Sequence, residues 1–157
     1  MLAERNFSME QLMPLIRESL ESGTDVSFSP KGVSMLPLLR QGRDTVTLSP
    51  VNGDLKKYDV ALYRRDNGAY VLHRVAKVGD TYTFVGDNQF ALERGIRHDQ
   101  ILAVMSAFTR DGKEIPVTDR GYRCYCVLWS LGRPFRHFPR RLINKLRRIA
   151  HKIGISR

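Results

Sequence analysis

Cysteine is almost absent from this chain: two in 157 residues, Cys124 and Cys126. A disulfide-stapled fold is excluded, and a lone Cys-x-Cys pair has too few ligands for a metal centre when no second Cys/His cluster lies near it in sequence. Two residues apart on a strand, the pair would share a face and be badly placed to bridge each other, so both are read as reduced, partly buried thiols in a reducing compartment. Long apolar runs are missing as well. No stretch approaches the ~20 residues needed to span a bilayer. Glu4 and Arg5 follow the start with no signal-peptide-like apolar run behind them. The expected location is cytoplasmic, and no cofactor or metal is expected.

Acidic residues stop at Asp119. Residues 120–157 carry eleven Lys/Arg and no Asp or Glu, while the 119 residues before them hold fifteen basic and sixteen acidic side chains. The net charge of +10 therefore belongs to the tail, and the body is electrically ordinary. Hydrophobic residues make up 42% of the chain, enough for one domain with a real core. There is no internal repeat.

Three regions follow from the patterning. Residues 1–24 hold a helix over 8–22, with Ser8 and Gln11 spaced as a capping box and Leu12, Leu15, Ile16 and Leu20 at helical spacing. Pro14 makes its start uncertain, and Gly23 is a reasonable stop. Residues 25–119 read as a mainly β domain. Short alternating stretches near 25–30, 44–51, 59–65, 69–78, 81–87, 100–110 and 113–117 are separated by turn signals such as Asp66-Asn67-Gly68 and Asp111-Gly112. Residues 120–157 read as a basic amphipathic segment. It splits into a shorter aromatic piece and a helix from about Pro139, with Leu142, Leu146, Ile149 and Ile153 on one side.

The stretch Lys31–Leu48, KGVSMLPLLRQGRDTVTL, sets Ser34 between a glycine-containing approach and a Met-Leu-Pro exit. A serine hydroxyl needs a base to take its proton and a third group to orient that base. Of four histidines, His137 and His151 lie in the basic tail and His98 in a loop. His73 sits mid-strand, sharing a face with Val71 and Val75. A satisfied core histidine is the bland reading of that placement; a general base is the functional one. Asp87, after Gly86 at a strand end, is the third candidate, although Gly-Asp-Asn alone is no more than a turn.

Four segments in order, GVSMLPLLRQGRDTVTL, LKKYDVALYRR, YVLHRVAKV and VGDNQFALERGI, resemble the conserved boxes of the signal peptidase I superfamily, which also contains self-cleaving repressors. The likeness covers about Phe28 to Phe108. It implies a fold of small curled β-sheets and a serine peptidase with Ser34 as nucleophile. The base position, lysine in most bacterial members, is His73 here, similar to the histidine-using branch, in which the aspartate of the Gly-Asp-Asn box assists; that maps to Asp87. Asp44 and Asp59 match acidic positions that are read as turn-stabilising. The Ser34 N–H is the natural oxyanion donor. Gly32, Val33 and Met35 are read as the oxyanion and substrate groove. Gly32 stands where many members have a second serine, and Met35, with Leu36 and Leu38, is equally readable as core.

The resemblance lacks the family's membrane helix and the repressors' DNA-binding domain, so the expected substrate is a peptide or protein precursor of unspecified sequence. The alternative is a peptide-binding module of the same fold without activity, tethered by its tail. Three readings stay open for the tail. Trp129, Arg140, Arg141, Lys145, Arg147 and Arg148 contact an anionic membrane surface on its inner face; or the basic face is solvated or packed; or it binds nucleic acid. Tyr122 and Tyr125 are placed with Trp129 at headgroup level.

Overall fold

Alternating stretches and turn dipeptides become eight antiparallel strands between two helices. The computed structural model describes residues 9–135. In chain order the elements are α1 (Met9–Glu21), β1 (Val26–Phe28), β2 (Thr45–Ser49), β3 (Val60–Arg64), β4 (Tyr70–Lys77), β5 (Tyr82–Val85), β6 (Glu93–Ile96), β7 (Ile101–Arg110), β8 (Lys113–Pro116) and α2 (Arg120–Leu131). The strands form one open sheet in the order β1-β2-β7-β3-β4-β5-β6, with β8 also pairing with β7. The mainly β expectation holds. Both turn dipeptides do what their chemistry favours: Asp111 and Gly112 take positive φ between β7 and β8, and Gly68 does so between β3 and β4.

The sheet is buried on both faces at its centre, so β3 reads as a continuous apolar run. Val60 and Leu62 point into one core with α1, α2 and the Ser34 loop, whereas Ala61 and Tyr63 point into a second with Val75, Tyr82 and Phe84. This alternation decides where the site can lie. His73 pairs with Ala61 and joins the second face, and Arg74, one residue on, faces the helices.

α1 attaches through Met13, Ile16 and Leu20, each under 10% exposed. Burial of such side chains is worth about 1.5–3 kcal/mol apiece. The expected stripe is corrected at one position. At about 100° per residue, Leu12, Ile16, Leu20 and Met13 span a single arc, and Leu15 falls outside it, 63% exposed.

The C-terminal expectation changes more. A helix begins at Arg120, capped by Asp119, whose side chain accepts from the Tyr122 N–H at 2.8 Å. Tyr122 and Cys126 enter the first core. Cys124 and Cys126 lie on a helix rather than a strand, which turns them to opposite sides: Cys124 is exposed, Cys126 is buried, and both are free. Arg140, Arg141, Lys145, Arg147 and Arg148, with the helix expected from Pro139, lie outside the described residues. Among the described residues, no helix is long and apolar enough to cross a membrane.

Candidate active site

The Ser34 loop lies between β1 and β2, across the end of β5. The last β4–β5 pair in register is Arg74 with Val85; the next residues along are His73 and Gly86. Gly86 leaves no room for a side chain, because a Cβ there would sit 2.7 Å from the Ser34 carbonyl oxygen. The turn that follows holds the loop: the Asn88 N–H donates to the Ser34 carbonyl at 2.8 Å, and Asn88 Nδ2 donates to the Val33 carbonyl at 3.2 Å. The Gly86-Asp87-Asn88 box thus acts first as a clamp on the serine loop. Ser34 and His73 line one cavity of about 250 Å³, with Arg65, Tyr70 and Gln89 among the other walls.

Ser34 is half-buried, and neither its hydroxyl nor its N–H bonds to another described residue. The N–H is therefore free to donate to a group entering the cavity. Gly32 has a left-handed φ of +91°, a conformation that a serine there would adopt only under strain, and its N–H is taken by Gln41 Oε1 at 2.7 Å. It supplies no second oxyanion donor. Val33 is 62% exposed and points away from the core. Met35 serves both readings, packed in the first core and lining the cavity.

His73 is 2% exposed. Its Nδ1 lies 3.2 Å from Glu93 Oε1 and 3.3 Å from the Tyr63 hydroxyl. Glu93, on β6, is gripped by Arg65 through two hydrogen bonds, Nε to Oε2 at 2.8 Å and Nη2 to Oε1. A carboxylate only accepts, so its approach to Nδ1 favours the tautomer with the proton there. Nε2 is then the basic nitrogen. It bonds to no described residue, and it is not sealed from water, since Arg110 Nε alone among the described residues is a buried, unpartnered side-chain nitrogen or oxygen.

Burial pushes the His73 pKa below its ordinary 6.5, against the opposing pull of Glu93 and with further help from Arg65. The imidazole is therefore neutral at neutral pH. Burial alone would raise Glu93, but the bonds from Arg65 and Tyr63 prevail and hold it below the usual carboxylate range. Tyr63 is pushed up, chiefly by burial and then by Glu93, and keeps its proton.

Asp87 does not occupy the orienting position expected for it. Its carboxylate pairs in two-pronged fashion with Arg74, at 2.7 Å from Nε and 2.8 Å from Nη2, and accepts from the Tyr125 hydroxyl at 2.9 Å. The reason is the strand alternation. Arg74 is buried on the helix-facing side and needs a counter-charge there, and the remaining Nη1 bonds the Tyr58 carbonyl, the Tyr122 hydroxyl and Cys126 Sγ. The Asp87 charge reaches His73 only through space. The carboxylate against the imidazole is Glu93, which the sequence reading missed. Asp44 and Asp59 do stabilise turns, Asp44 through Arg40 and Asp59 through the Lys56 N–H at 2.7 Å.

Trp129 is likewise corrected. It is half-buried and donates from Nε1 to the Asp87 carbonyl at 3.0 Å, with Tyr125 stacked beside it; Tyr125 and Trp129 hold the Gly-Asp-Asn turn from the helix side, and Tyr122 stacks on Tyr125 and accepts from Arg74, rather than facing outward. Comparison with models of known families, with curated proteins and with solved structures finds no match.

Proposed function

We propose that this chain is a serine endopeptidase of the signal-peptidase-like type, acting on a peptide or protein precursor through Ser34 and His73. One observation carries the reading: a neutral, anchored imidazole with Nε2 unbonded lines the same cavity as a serine whose hydroxyl and N–H are both unused. In the reaction, Nε2 takes the Oγ proton as Oγ bonds to the scissile carbonyl carbon, and the carbonyl electron pair moves to oxygen beside the Ser34 N–H. Collapse breaks the C–N bond. The leaving amine takes the proton from Nε2, and an acyl ester remains on Ser34. Water, deprotonated by the same nitrogen, then releases the acid and restores the hydroxyl. Glu93 does not react; it holds the ring and favours the transient imidazolium.

No hydrogen bond joins Ser34 Oγ to His73 in this structure, an observation that favours a second reading, a peptide-binding module without hydrolysis. Catalytic hydrogen bonds often tighten only around substrate. A proteome-derived peptide library, incubated with wild type and with Ser34→Ala and read by mass spectrometry, separates the two. New termini from wild type alone support the peptidase. Retention of the same peptides by both proteins without cleavage supports the module, and equal cleavage by both removes Ser34 from the chemistry.

The reading includes a cytoplasmic site of action. Its support is the state of the thiols, since an exposed free Cys124 suits a reducing compartment.

A further inference from the structure

The inner face of α2 is spent on the core and on Asp87; its outer face is apolar. Val127, Leu128 and Leu131 project outward with 39%, 63% and 63% exposure, and Phe135, just beyond the helix, is 79% exposed. At about 100° per residue the first three fall within one arc, which also contains Arg120 and exposed Cys124, with Arg123 at its edge. The described part of this region carries Arg120 and Arg123 at this face, with Arg133 half-buried against the Phe90 carbonyl, and no acidic side chain, and the chain onward from there adds eight more cations without a single anion.

We propose that the outer face of α2 docks into an anionic lipid leaflet, its leucines in the acyl boundary and its arginines among the headgroups. The charge decides between occupants. A second copy, or the chain's own basic tail, would set cations against cations over this face, whereas an anionic leaflet answers both the charge and the apolar area. Nucleic acid would answer the charge and leave the leucines in water. The proposal does not depend on the peptidase reading. It does have a spatial consequence: the helix in the leaflet is the one whose inner side holds Asp87 through Tyr125 and Trp129, so the Ser34 loop, held in turn by Asn88, is carried close to lipid.

Cys124 provides the probe, because it lies on the outer face while Cys126 is buried. The full-length protein, labelled there with an environment-sensitive fluorophore, is mixed with phosphatidylglycerol/phosphatidylcholine vesicles, with pure phosphatidylcholine vesicles, and with RNA and duplex DNA. The expected result is salt-weakened binding to the anionic vesicles with a blue-shifted label. A Leu128→Ser, Leu131→Ser double variant, with an unchanged melting temperature, should bind at least tenfold more weakly. The proposal is overturned by absence of binding to anionic vesicles, by binding with the label still in water, or by full binding of the double variant. A salt-resistant dimer dissolved by the same substitutions, or a label shift with nucleic acid alone, also overturns it.

Discussion

His73 Nδ1 lies 3.2 Å from Glu93 Oε1, although the two residues sit on strands separated by β5. The contact leaves the opposite ring nitrogen without a partner among the described residues. Arg65 fixes the carboxylate from its other side.

Glu93→Gln should therefore lower kcat by about 10–10²-fold, while leaving a folded protein. Its pH profile distinguishes positioning from mere packing. Glu93 is the strongest influence raising the His73 pKa, so its removal moves the acid limb of the rate profile to lower pH. An unchanged limb with unchanged kcat would show that Glu93 does not act on the base.

The wild-type rate should rise with pH through a half-point below 6.5, because burial depresses His73. Stability should follow the same sign. Folded His73 binds fewer protons than the unfolded residue below about pH 6.5, so acid favours unfolding; Glu93, also depressed, adds stability above its ordinary 4.5 that is lost as the pH falls through its folded value. Urea midpoints at pH 7 and pH 5 check this, with the lower midpoint expected at pH 5.

Asp87→Asn is expected to damage the fold more than the chemistry. It leaves the Arg74 guanidinium buried without its counter-charge, a loss of about 3–5 kcal/mol by the usual behaviour of such pairs. Denaturant unfolding of Asp87→Asn against Glu93→Gln should show the larger loss for Asp87.

Gly86→Ala tests the clamp. The added methyl would overlap the Ser34 carbonyl and press on Gln89, so the serine loop must move. A fall in kcat of more than tenfold is expected, with a smaller effect on KM. Steady-state kinetics beside a thermal melt separates loop displacement from unfolding.

Much of this was legible in the sequence, and each departure has its own physical cause. Alternation placed His73 with Val71 and Val75, and the turn dipeptides placed the hairpins. β6 was missed because Glu-Arg-Gly-Ile is short, charged and interrupted by Gly95 at φ +77°, so it carries no strand signature. The carboxylate that touches the base was missed with it. Motif position alone points Asp87 at His73 and takes no account of Arg74. Yet the same alternation that turned His73 one way turned Arg74 the other, and a buried guanidinium must be answered. In the C-terminal region, Tyr122, Tyr125 and Trp129 were read as facing outward because their arginine-rich neighbours dominate the composition; the three-and-four spacing that turns them inward as one stripe was present in the sequence.

Under the proposed mechanism, Ser34 Oγ becomes acylated with His73 as base. The most direct measurement of that step is acid quenching of wild type during turnover of a peptide drawn from the library, followed by tryptic mass spectrometry of the Gly32–Arg40 fragment, in which Ser34 is the only hydroxyl. A substrate-derived acyl mass is expected on that fragment in wild type and none in Ser34→Ala or His73→Ala. Cleavage that proceeds at the wild-type rate in Ser34→Ala, or an acyl mass located on any other residue, would contradict it.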